Sequence, residues 1–147
     1  MKKMLAFVFM LPFVVFSNSS NEPAAKGSAI PAYLLGRFED DYGITYTISE
    51  KMFLQEPNWR YHIIKYDSAA QFFIVQNDKR NPYEPGKYSR IDIVPLNNMK
   101  PYQFGYCLIT YDARTADEAE KAAQADRNNL KKGCGGFPFS RMKRIGN

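Results

Sequence analysis

Between Tyr42 and Ser49 the side chains alternate, with Ile44, Tyr46 and Ile48 on one side and Thr45, Thr47 and Ser49 on the other. A period of two marks a strand with one face in a core and one in water. Similar short stretches recur along the chain, each bounded by turn chemistry. Met52 to Gln55 ends at Glu56-Pro57-Asn58, and Arg60 to Tyr66 and Gln71 to Asn77 flank Asp67-Ser68-Ala69-Ala70 as a hairpin. Residues 78–87, with Asn81-Pro82 and Pro85-Gly86, read as a long turn. Tyr88 to Val94 and Phe104 to Tyr111 follow, split by the loop from Pro95 to Pro101. The pattern predicts a mainly β fold, either a small antiparallel up-and-down barrel or a strongly curved sheet of six to eight strands.

The period changes after Arg114. Thr115-Ala116-Asp117-Glu118 has the form of a capping box. Ala116, Ala119, Ala122, Ala123 and Leu130 then fall at helical spacing, Lys131 and Lys132 suit a helix C-terminus, and Gly133 reads as a left-handed stop. One C-terminal helix over about 116–131 is expected, its Ala119–Ala123 face against the sheet. The tail, Gly135-Gly136-Phe137-Pro138-Phe139, reads as a final edge segment whose Phe residues plug the core, or as an exposed recognition loop.

Met1-Lys2-Lys3, the apolar run from Leu5 to Phe16 and the small polar exit Ser17-Asn18-Ser19-Ser20 have the form of a secretory signal peptide, residues 1–17. About a dozen apolar residues fall short of the roughly 20 that span a bilayer in a helix, so no stable membrane anchor is expected. The mature protein is expected in the periplasm or secreted, with a flexible leader at 18–32 and a single β-rich domain at 33–147. Lys2 and Lys3 leave with the signal, so 20 basic residues become 18 against 15 acidic ones, and the net charge falls from +5 to +3. The remaining basic residues form no stripe of the kind that binds nucleic acid, which is not expected as a partner. Cys107 and Cys134 are an even pair in an exported chain and are expected to form one disulfide, worth roughly 3–4 kcal/mol. With no Cys-x-x-Cys and His62 as the lone histidine, the chain lacks the ligands of a zinc site; no metal or cofactor is expected.

Gly36-Arg37-Phe38 at the first strand resembles the glycine-x-tryptophan start of lipocalin-type barrels, with Phe in place of Trp. A late helix and a cysteine behind it, paired back to the barrel, are also similar to that group. The resemblance implies a small calycin-like barrel.

Few residues suggest chemistry. Glu39-Asp40-Asp41, followed by Tyr42-Gly43, reads as a turn between strands rather than a calcium or acid–base site. Alternation places His62 on one face with Arg60, Ile64 and Tyr66. Arg90 and Asp92 share a face with Tyr88 and Val94, either lining a cavity or forming an outward cross-strand ion pair while Ile91 and Ile93 face the core. The candidate ligand-binding residues are Tyr46, His62, Tyr66, Tyr88 and Arg90; no catalytic residue is assigned, because no nucleophile motif is present.

Three functions compete. The leading expectation is an exported non-enzymatic protein that binds a small apolar or amphipathic ligand, favoured by a roomy apolar interior. The alternative is a periplasmic protein-interaction or inhibitor module, favoured by a filled interior with Phe137 to Arg141 projecting. The third is a weak hydrolase, favoured by His62 in a cleft beside a carboxylate.

Overall fold

The computed structural model describes residues 27–146. The signal peptide, its cleavage point and most of the leader expected from the sequence lie outside the described residues. Eight strands follow a single 3-10 turn (Ala32–Leu34): β1 (Gly36–Glu39), β2 (Thr45–Ile48), β3 (Met52–Gln55), β4 (Trp59–Asp67), β5 (Phe72–Asn77), β6 (Tyr88–Pro95), β7 (Tyr102–Ala113) and β8 (Ser140–Arg144). Each pairs antiparallel with the next. β8 returns to β1 through Phe38↔Arg144 and Glu39↔Lys143, so the sheet closes into an up-and-down barrel. Closure leaves no open edge to recruit another strand.

Alternate residues fill the interior. Phe53 meets Tyr46, Tyr61, Phe73 and Tyr106 edge-on at centroid separations of 5.6–6.5 Å. Phe38, Ile48, Val75, Ile91, Ile93, Phe104 and Met142 complete the packing. Edge-to-face contacts let large rings fill a tapering space at favourable quadrupole geometry. Asp40 closes the β1–β2 turn, accepting hydrogen bonds from the Tyr42 and Ile44 amides at 2.8 and 3.0 Å, as the turn reading required. Its other carboxylate oxygen accepts from the Tyr46 hydroxyl at 2.9 Å, and that hydroxyl lies 2.8 Å from the Tyr106 hydroxyl. Burial, with Tyr106 and Asp40 adding to it, raises the Tyr46 phenol far above its ordinary range, so it remains a donor.

The register of β4 against β5 shifts between Ile63 and Lys65. A bulge changes the phase of alternation. Tyr61 and Tyr66 therefore both join the interior, while His62 points outward and Ile64 is exposed. This corrects the expectation that His62 and Tyr66 share a face.

The outer wall of β5, β6 and β7 is covered too. Helix α1 (Ala116–Glu120) starts where the sequence placed it: the Thr115 hydroxyl accepts from the Glu118 amide at 3.1 Å. It then stops after five residues, not at 131, and residues 121–137 run as an irregular strap. The cause lies beneath it. Arg90 donates to the carbonyls of Glu120 and Ala122, at 2.6 and 3.4 Å, and Asp92 accepts from the Ala125 amide at 2.7 Å. The wall takes backbone groups that a longer helix would have paired internally. Gly133 is likewise not a left-handed stop; a Cβ there would sit 1.9 Å from the Asp126 carbonyl oxygen, so its role is close approach. Ala119 is buried as expected, but Ala123 is exposed.

Cys134 in the strap is joined to Cys107 of β7, with their Cα atoms 5.5 Å apart. Phe139 packs beside this bridge with Ala125, whereas Phe137 is 73% exposed on the turn after Cys134. Each of the two readings of the tail thus describes one of its phenylalanines.

Candidate functional site

In an up-and-down barrel, alternate connections gather at the same end. The β3–β4 turn, the 78–87 loop and the end of β7 meet at one mouth. There Gln55, Trp59, Tyr61, Asn77, Leu108 and Tyr111, with Tyr83 and Glu84 from the loop, line a cup of about 590 Å³. This volume lies within the usual range of small-molecule sites.

The loop over the cup is held by amide side chains. Asn81 pairs with both backbone groups of Arg60, its Oδ1 accepting at 2.9 Å and its Nδ2 donating at 2.8 Å, as a neighbouring strand would. Asn77 Nδ2 donates to the carbonyls of Glu84 and Tyr111, at 2.9 and 2.8 Å, while its Oδ1 accepts from the Ser89 hydroxyl at 2.6 Å. Glu84 is thereby fixed at φ +47°, a conformation uncommon for a residue with a side chain. Tyr83 stacks on Trp59 at 5.8 Å with planes 15° apart, although Tyr83 remains 71% exposed. Burial pushes the Tyr61 phenol up to about 12. The cup therefore offers neutral aromatic surface, amide groups and one carboxylate on a braced frame.

The opposite mouth is wider, about 1280 Å³, and lined by Tyr33, Gln71, Leu96, Lys100, Tyr102 and Arg144, among others. Arg144 there donates to the Leu35 carbonyl at 2.8 Å, with weaker contacts to those of Ala32 and Tyr33. Its guanidinium is engaged in holding the 3-10 turn, which leaves the Trp59 mouth as the better-formed site.

The five candidate residues do not converge. Tyr46 and Tyr66 are sealed in the interior, and Tyr66 packs on Phe73 at 4.7 Å. His62, Tyr88 and Arg90 lie outside the barrel. Tyr88 packs beside Phe72 and Ile74 on the covered wall. Arg90 is 2% exposed under the strap, bound to Asp92 at 2.7 Å and stacked 4.0 Å over Phe72. The pair is outward-facing and within one strand rather than across two. His62 Nε2 lies 2.8 Å from Asp78, which also binds Arg80 through its side chain and amide. Hydrogen bonds from Arg80, then from His62, hold the Asp78 carboxyl below its usual range. His62 thus lines a cleft beside a carboxylate, the arrangement expected of the hydrolase reading, together with Gln76, Asn77, Lys79 and Arg80; none of these residues offers a hydroxyl or thiol nucleophile.

Trp59, Tyr83 and Glu84 of the cup lie outside the strands that the sequence pattern marks. Trp59 follows Pro57-Asn58, and Tyr83-Glu84 sits between Pro82 and Pro85. Aromatic residues embedded in turn sequences were the available clue. Comparison of the chain with family models, curated proteins and solved structures finds no match.

Proposed function

We propose that this protein is an exported, non-enzymatic binding barrel of lipocalin-like form, holding a small apolar or amphipathic ligand at the Trp59 mouth. The observation that carries the reading is the cup itself: four aromatic residues around a braced concavity of about 590 Å³. The interior is filled by side chains rather than roomy, the arrangement expected of the interaction reading, so a ligand of this barrel would sit at its rim and not in its depth. The Cys107–Cys134 disulfide is of the kind that persists in oxidising compartments outside the cytoplasm, consistent with export. Among the described residues no helix is long and apolar enough to cross a membrane.

The test is titration with the neutral probe N-phenyl-1-naphthylamine. One saturable site is expected, with affinity lowered about tenfold by combined Trp59→Ala and Tyr83→Ala, a loss of order 1.4 kcal/mol. Unchanged binding in that double variant would remove the cup from consideration.

A second reading, a protein-interaction module, is favoured by two observations: the filled interior, and Phe137 exposed on a turn anchored by the disulfide. Buried aromatic anchors dominate many interfaces. Phe137→Ala would then abolish partner capture while leaving probe binding intact.

A further inference from the structure

The chain carries an excess of basic residues, yet the cup lining contains no Lys, Arg or His and a single carboxylate, Glu84. Other carboxylates toward this end of the barrel are engaged. Glu56 binds Arg37, Asp78 binds Arg80 and His62, Glu118 binds Arg114, Asp41 binds Arg141, and Asp40 accepts from the Tyr46 hydroxyl. Among the described residues the Glu84 carboxylate has neither an ion pair nor a hydrogen bond, while its backbone is fixed by Asn77. Trp59, Tyr61, Tyr83 and Tyr111 line the same cup.

Resting on the reading of the cup as a ligand site, we infer that its ligand carries an organic cation, of the alkylated or quaternary ammonium class. Aromatic faces carry negative quadrupole potential and attract cations, Trp most strongly. An alkylated ammonium suits them better than a bare one, because its charge is spread under methyl groups that also gain from leaving water. Glu84 supplies the counter-charge at the rim, where solvent keeps the attraction moderate. Tyr61 stays neutral through physiological pH, so it adds no charge of its own. An anionic ligand would face the same carboxylate and rings as repulsion.

Trp59 is the chain's single tryptophan and reports directly on the cup. Its fluorescence, checked by calorimetry, is followed in the disulfide-bonded protein during titration with choline and with 3,3-dimethylbutan-1-ol, the uncharged compound of nearly the same shape. Choline is expected to bind about tenfold more tightly than the alcohol. Glu84→Gln is expected to weaken choline about fivefold more than it weakens the alcohol. Equal or tighter binding of the alcohol would overturn the cation assignment while leaving the cup as a ligand site. Absence of saturable binding by either compound would also overturn it, and the N-phenyl-1-naphthylamine titration then decides separately whether the cup binds ligands at all.

Discussion

Strand β6 buries both of its faces, by different means. Ile91 and Ile93 look into the barrel and meet aromatic rings, where any well-shaped apolar neighbour serves. Arg90 and Asp92 look outward and are buried as deeply, but by directed bonds: to each other, to the carbonyls of Glu120 and Ala122, and to the Ala125 amide. Inside, burial follows from surface and volume. Outside, a pair of charges fixes the path of a strap that has little regular structure of its own. One Arg90 amino group is buried without a hydrogen-bond partner, which leaves its stacking on Phe72 as compensation.

Breaking the outer arrangement should cost most. Asp92→Ala leaves Arg90 buried without its counter-charge and frees the Ala125 amide, so a loss of about 3–5 kcal/mol is expected in urea unfolding. A loss below 1 kcal/mol would mean that the strap is placed by its apolar contacts instead.

That same pair marks where reading the sequence stops short. The strands were legible because alternation at Tyr46 and Ile48 and the turns at 40–43 and 67–70 are local signals. The closed form of the sheet rests on β1 meeting β8, a pairing with no local mark. The helix start was legible in Thr115 and Glu118. Its early end was not, because the groups that unwind it, Arg90 and Asp92, lie about thirty residues earlier in the chain. His62 and Tyr66 were assigned to one face because a bulge leaves no trace in a simple count of two. The cup escaped for a related reason: Trp59, Tyr83 and Tyr111 come from three segments, brought together by the 78–87 loop that Asn77 and Asn81 hold.

Joint replacement of Cys107 and Cys134 by Ala should lower stability by about 2–5 kcal/mol. If the strap is held chiefly by Asp92, amide exchange in residues 121–133 should rise less in this variant than in Asp92→Ala. The inner face gives the contrasting measurement. Ile93→Val, one residue from Asp92, should cost only about 0.5–1.5 kcal/mol, since it removes one methylene from a packed core. A cost equal to that of Asp92→Ala would erase the distinction between the faces.

The smallest effect belongs to the solvent-facing clasp of Asp78 with Arg80 and His62. The folded-state Asp78 carboxyl is held below its ordinary range, so its contribution is complete above that range and is lost as pH falls through it toward the depressed value. Thermal melts at pH 7 and pH 3 should therefore differ less for Asp78→Asn than for the wild type. An identical acid sensitivity would assign the difference to other carboxylates, such as Asp41 beside Arg141.

Closure of the barrel by β8 has a consequence for the order in which the molecule can be made. The strand that joins β7 to β1 follows the strap and Cys134. Until residues 140–144 arrive, β1 and β7 each present an unpaired edge, and the interior rings lack Met142. A chain still being synthesised thus cannot complete its fold, and the two loose edges are the places where another copy would attach.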